Sequence, residues 1–220
     1  MNNEEIHQAI RLLKIERRRK KWPIPVVGVI ANETHDPFKI LIACVLSLRT
    51  KDQTTASAAR RLFELAQTPE TMAKIPLATL QKAIYPVGFY RSKAKHIRRI
   101  CLDLLHRYGG VVPSTIEELI KLKGVGRKTA NLVVTIGYGK PGICVDTHVH
   151  RICNRWGYVN TPTPDKTEAV LRQKLPIRYW IEFNDLLVPF GQYICRPVSP
   201  WCSRCCIEHL CYRIGVNAYK

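Results

Sequence analysis

The sequence predicts an all-α protein. Apolar residues recur at the three-and-four spacing of helices, and caps or glycine and proline stops bound those runs. No stretch alternates apolar and polar residues as a half-buried strand does. The first run sets Ile6, Ala9, Ile10 and Leu13 on one helical face, then meets the basic cluster Arg17 to Lys21. That cluster reads as the solvated end of the helix, with phosphate contact or a nuclear-import signal as alternatives. Asp36 before Pro37 is an N-cap with proline in the first turn, opening a helix to about Leu48. A helix over Thr54 to Ala66 follows, with Asp52 ahead of it as its cap. Ser92 caps a helix to Tyr108, stopped by Gly109 and Gly110. Ser114 and Glu117 have capping-box spacing for a helix to about Leu122. A glycine turn leads into a helix from about Arg127 to Ile136, and Asp146 and Thr147 open another. Asp165 to Leu175 and Tyr179 to Gly191 read as the last two long helices.

The 220 residues suffice for one large domain or two small ones with a real core. Lys and Arg number 35 against 17 Asp and Glu, a formal charge of +18, and 46% of residues are hydrophobic. That hydrophobic share excludes a disordered basic tail. The longest apolar runs, such as Ile40 to Leu46, are too short to span a bilayer. The opening MNNEEIHQAI has no basic region followed by an apolar core, so no secretory signal is expected. A chain this basic is expected to meet a polyanion, with nucleic acid ahead of an anionic membrane.

Nine cysteines are present, an odd number, in a chain that reads as intracellular, so a disulfide framework is not expected. Five of them fall within residues 195–220. Cys195, Cys202, Cys205 and Cys211 have the spacing C-x6-C-x2-C-x5-C, and four thiolates in so short a stretch can wrap one tetrahedral ion or one cubane cluster. Zinc usually takes two short-spaced knuckles, and here only Cys202 and Cys205 form one. An iron–sulfur cluster also uses four thiolates, and spacing leaves the two open. Cys206 is a spare.

Leu122 to Lys128 reads LKGVGRK. Gly124, Val125 and Gly126 form a turn between two helices, and its backbone amides with the following helix start make an anion site, neutral to base sequence. An ordinary helix corner is the alternative; the charge of the chain favours phosphate. Lys128 follows the turn, one helical turn from a docked backbone. A neutral lysine amine can attack an electrophilic carbon and form a Schiff base, and Arg127 is a neighbouring cation that favours the neutral form. Asp146 lies eighteen residues on in VDTH; its carboxylate can stabilise positive charge on a sugar or carry protons, or simply cap a helix. Phosphate pairing is the simpler reading of Lys128 alone. His148 and His150 lack partner ligands at metal spacing.

Together, LKGVGRKTAN, VDTHVHRICNR, YPVGFYRSKAKHI and the four-cysteine spacing resemble the endonuclease III family, the bifunctional DNA glycosylase/AP lyases of the helix–hairpin–helix superfamily. The resemblance runs from about Pro37 to Cys211. It implies two helical domains with a DNA-binding groove between them: a six-helix barrel carrying the hairpin at 30–140, and an iron–sulfur cluster domain built from 1–29 plus 141–220. It implies a [4Fe–4S] cluster on Cys195, Cys202, Cys205 and Cys211 that shapes a DNA-contacting loop, with Lys128 as nucleophile and Asp146 as the essential carboxylate. The partner implied is double-stranded DNA with damaged pyrimidines or abasic sites, engaged by a monomer with no membrane association, in the cytoplasm at the nucleoid if the source is bacterial or archaeal.

This chain departs from the family pattern in places. Lys123 stands before the hairpin glycine where proline is usual. Arg49 in LSLRT stands where many members carry a gap-filling glutamine, and it can still fill the gap and hydrogen-bond an orphan purine. Phe89 takes the place of a second, aliphatic wedge and can insert at a kinked step; a surface cation and a core aromatic are the alternatives for this pair. Between Cys195 and Cys202 only Arg196 is basic. A monofunctional mismatch glycosylase and a non-catalytic DNA-binding protein with a metal staple are the rival functions. Lys128 argues against the first, and its presence with Asp146 against the second.

Overall fold

The computed structural model describes all of residues 1–220. In chain order the helices are α1 (Asn3–Lys20), α2 (Val26–Thr34), α3 (Pro37–Ser47), α4 (Asp52–Leu65), α5 (Pro69–Lys74) and α6 (Leu77–Ile84). Then follow α7 (Tyr90–Tyr108), α8 (Ile116–Leu119), α9 (Arg127–Leu132), α10 (Thr147–Arg155), α11 (Pro164–Lys174) and α12 (Trp180–Tyr193). There is no strand, as the sequence predicts. The chain divides into two compact units, Pro25–Lys140 and Met1–Ile24 with Pro141–Lys220.

The unit of residues 25–140 is built around α3. Every residue from Ile40 to Leu46 is buried, so this helix is apolar on all sides and serves as the central rod against which α2, α4, α7 and α9 pack. Each fully buried Leu or Ile contributes about 1.5–3 kcal/mol over its exposed state. Asp36 caps α3 as predicted, its Oδ1 accepting from the Phe38 N–H at 2.8 Å. On α7 the buried stripe runs through Ile97, Ile100, Cys101 and Leu104 at helical spacing. Gly109 ends that helix in the left-handed region at φ 59°.

The other unit joins the start of the chain to its last third. The predicted stripe of α1 (Ile6, Ala9, Ile10, Leu13) is fully buried, and α1 packs on α12. Its core adds Val149 and Ile152 of α10, Trp156, Phe183, Leu187 and Phe190. Asn2 closes a capping box with Glu5 at the start of α1, and the Met1 ammonium donates to the carbonyls of Trp156 and Gly157.

Several local expectations are corrected. Ser92 lies inside the first turn of α7, which is opened instead by Phe89 in the left-handed region. Ser114 is not a cap, because its hydroxyl and carbonyl bind the Lys140 ammonium; Thr115 caps the single-turn α8, accepting from Glu118 N. The helix expected from Arg127 to Ile136 is α-helical only to Leu132 and then widens into a π turn, Val133–Gly137, where the Thr135 hydroxyl donates to Asn131 O at 2.8 Å. Asp52 is the first residue of α4 rather than its cap, and its Oδ2 accepts from the Val26 N–H at 3.2 Å, satisfying the start of α2. The short helices α2, α5 and α6 escape the sequence reading.

Candidate active site

The glycine turn is positioned by apolar anchors on either side. Leu122 and Val125 are buried, and the Val125 N–H donates to Leu122 O at 3.0 Å, so the loop closes over its own side chains. Gly124 takes φ 89° and lies against His96; a Cβ there would stand 3.0 Å from the imidazole, in a conformation L residues rarely adopt. Gly126 is extended and becomes the N-cap of α9, its carbonyl accepting from Ala130 N. The next two residues, Arg127 and Lys128, are exposed, whereas Thr129, Ala130 and Asn131 are buried. The fold thus presents Lys128 at the start of a helix whose following turn is locked into the core. Lys128 is also close enough to Cys44 to pull that thiol downward, against the burial that pushes it up to about 12. The π turn after α9 is a rare element, one found disproportionately at functional sites.

Asp146 is 9% exposed and caps α10, its Oδ1 accepting from both His148 N and Val149 N at 2.9 Å. The strap before it is fixed by Asn184, whose amide donates to Cys144 O. The side chains of His148 and His150 are used structurally. His148 Nδ1 contacts the Arg151 guanidinium at 3.1 Å, and His150 Nδ1 meets the Thr167 hydroxyl at 2.7 Å.

Arg49 and Phe89 come together. Both are in the left-handed region, at φ 51° and 59°, and the Arg49 guanidinium lies 5.8 Å over the Phe89 ring. Phe89 is 65% exposed, so it is not a core aromatic. A residue that sequence reasoning overlooks lies beneath them. Lys93 is almost wholly buried, and burial pulls its amine down to about 8. The signal was available, since Lys93 sits four residues before Ile97 on the buried stripe of α7.

Cys195, Cys202, Cys205 and Cys211 line one cavity with Arg155, Trp156, Phe190 and Trp201; Cys206 does not reach it. Burial raises Cys202, Cys205 and Cys211, and charge on the other thiols raises them further. The Arg155 guanidinium lies 3.5 Å from Cys195 Sγ. No group of three or more His, Cys, Asp or Glu side chains is drawn together to hold a single metal ion. Arg196 is exposed, and its carbonyl accepts from Arg155 at 2.6 Å. No helix is long and apolar enough to cross a membrane.

Two helices joined through a glycine hairpin within an all-helical fold are the arrangement of the helix–hairpin–helix class. Residues 42–176 match the family model of the HhH-GPD superfamily base excision DNA repair proteins. The chain is 48% identical over 176 residues to the endonuclease III of Thermotoga maritima, covering 80% of this chain and 83% of that one. It is 36% identical to the Haemophilus influenzae endonuclease III over 94% of this chain and 96% of that one. A solved structure of a trapped endonuclease III–DNA covalent intermediate overlays with a TM-score of 0.85 at 34% identity, covering 97% of each chain. The chain belongs to the endonuclease III family within this superfamily.

Proposed function

We propose that this protein removes oxidised or saturated pyrimidines from duplex DNA and then cuts the strand at the resulting abasic site. The observation that carries this reading is Lys128, exposed in the first turn of the helix that the Gly124–Gly126 hairpin opens. Base excision by a DNA glycosylase and AP lyase is the activity of the family. The lesion class, the residue roles and the steps below are our reading.

The +18 charge draws the duplex in, and the hairpin backbone holds a phosphate without reading sequence. The damaged nucleotide leaves the stack at a cost of about a few kcal/mol, least for weakened pairs. Arg49 and Phe89 enter the space it leaves. The neutral Lys128 amine attacks C1′ and forms an N–C bond as the N-glycosidic bond breaks, and the base departs with its electron pair and a proton. Asp146 stabilises positive charge developing on the sugar. Ring opening gives an imine with Lys128, which acidifies the C2′ proton. Loss of that proton expels the 3′ phosphate by β-elimination, and water then releases Lys128.

The donor set of the cysteine cavity fits an iron–sulfur cluster. Four cysteines line one cavity with an arginine beside Cys195, a donor set of the kind that holds such a cluster as thiolates. A [4Fe–4S] cluster bound by Cys195, Cys202, Cys205 and Cys211 would supply structural bracing to the segment bearing Arg196. The protein acts as a monomer, in the cytoplasm with the chromosome if the cell is bacterial or archaeal.

Borohydride reduction during turnover tests the reading. The wild type should form a covalent adduct with duplex DNA bearing thymine glycol or an abasic site, and Lys128→Ala should form none. An undiminished adduct from the variant moves the nucleophile elsewhere. Base release without strand cleavage by the wild type would favour the monofunctional reading, and binding without base release the non-catalytic one.

A further inference from the structure

We propose that Lys93 is a positioning residue that locks the loops carrying Arg49 and Phe89 into a single DNA-entering edge of the 25–140 unit. The inference rests on the reading above that Arg49 and Phe89 enter the duplex. Lys93 itself takes no part in bond making or breaking.

The buried Lys93 ammonium faces no carboxylate. Its partners are Leu46 O at 2.7 Å, Leu48 O, and Thr50 Oγ1 at 3.1 Å. Leu46 is in the last turn of α3, where carbonyls have no partner within the helix, so Lys93 caps α3 from a different helix. A buried ammonium facing only dipoles burdens folding rather than helping it, and burial accordingly pulls its amine down to about 8. What it fixes is the path of the chain just after α3, which turns through Arg49 in the left-handed region.

Thr50 passes that constraint to the second loop. Its hydroxyl donates to Leu48 O at 3.2 Å and accepts from Lys93 Nζ and from the Gly88 N–H, also at 3.2 Å. One donor and two acceptor sites are thereby all used. Gly88 lies so close that a Cβ there would stand 2.7 Å from Arg49 O, so the loops meet backbone to backbone. Phe89 follows in the left-handed region, and its carbonyl accepts the Lys93 backbone N–H at 3.0 Å. One amine and one hydroxyl thus hold two adjacent non-glycine residues in an unfavourable backbone region, with their side chains stacked outward. Without them, both backbones are free to relax toward ordinary φ and the stacked pair separates.

Lys93→Met keeps length and removes the donor. On lesion-containing duplex its kcat/KM should fall by roughly ten- to hundredfold, the order that a misplacement of about 1 Å costs. Borohydride trapping on single-stranded abasic DNA, which has no partner base to displace, should stay within about threefold of wild type. Thr50→Val should repeat the pattern and Thr50→Ser restore activity, which keeps the test decisive if Lys93→Met fails to fold. Arg49→Ala and Phe89→Ala serve as controls: full duplex activity in both sinks the DNA-entering reading itself. Impairment in those two, with Lys93→Met and Thr50→Val at wild-type level, sinks the positioning role alone. Equal losses on single and double strands would also overturn it.

Discussion

Asp146 holds two jobs on one side chain, and substitution can separate them. Its Oδ1 accepts both the His148 and Val149 N–H groups at 2.9 Å, while its charge is assigned to the sugar. Alanine removes the acceptor and leaves both amides at a nearly buried helix start without it. Loss of an N-cap costs about 0.5–2 kcal/mol, and two short bonds place this one near the upper end. For a chain of this length that is a drop of roughly 4–8 °C in melting temperature. Asparagine places an amide oxygen at the same point and ranks with aspartate as a cap, so Asp146→Asn should melt within about 2 °C of wild type. Its charge is gone, however, and base release should fall by about 10²–10³, the range for removing one preorganised electrostatic contact. Thermal melts followed by the far-ultraviolet helix signal, with single-turnover base release on a thymine glycol duplex, measure both. If Asp146→Asn melts as low as Asp146→Ala, the oxygen is not the cap. If it releases base at the wild-type rate, the charge has no part in the chemistry.

Two further outcomes follow from buried thiols. Burial pushes Cys101 from an ordinary value of 9.0 up to about 12, so between pH 9 and 12 only the unfolded chain ionises there. Its contribution is complete below pH 9 and is lost as pH rises, by up to about 1.4 kcal/mol per pH unit. Cys101→Ala should therefore be less stable at pH 8 yet lose stability less steeply between pH 10 and 11 in denaturant titrations, and equal slopes would clear Cys101. At the cysteine cavity, anaerobically purified protein should carry about four iron atoms per chain, and Cys205→Ser should lose iron and melt earlier. Stoichiometric zinc in elemental analysis would replace the cubane with a single-ion site.

Features set by neighbours in sequence were legible, and features set across the fold were not. Asp36, Asp146 and Gly109 cap the helices assigned to them because a cap bonds within a few residues: two or three for the aspartates, five for Gly109, whose N–H donates to Leu104 O. The α1 stripe and the hairpin glycines are equally local. Asp52 looked like a cap for α4, but its oxygen serves Val26, twenty-six positions earlier, which no spacing rule reports. Ser114 has cap chemistry, but its hydroxyl and carbonyl are taken by Lys140, twenty-six positions on, and Thr115 caps instead; Ser92 falls inside the first turn of a helix that Phe89 opens. The π turn packs against α3, far back in the chain, a contact that no local spacing reports. Of the candidate residues, Lys128 and Asp146 stood out through their motifs. Lys93 was hidden because a lysine in a basic stretch reads as solvated, and only its place on the Ile97–Leu104 stripe betrays burial.

The cysteine segment and Asp146 meet on one helix. Asp146 fixes the first turn of α10; further along, Arg151 donates to Cys195 O at 2.9 Å and Gly191 O at 3.1 Å. One turn later, Arg155 reaches Arg196 O at 2.6 Å and Pro197 O at 2.7 Å, and the Cys211 thiol approaches Arg155 O at 3.7 Å. The arginine bonds are charge-assisted, and those to Cys195, Arg196 and Pro197 reach carbonyls in an irregular stretch of chain, so they hold in both directions. The arginines shape the loop after Cys195, and the loop in turn resists rotation of α10. A carboxylate held by two backbone amides goes where its helix goes. On the function proposed above, a metal group held by the cysteines would steady Asp146 through α10 without touching substrate, leaving the chemistry to the amine and the acid.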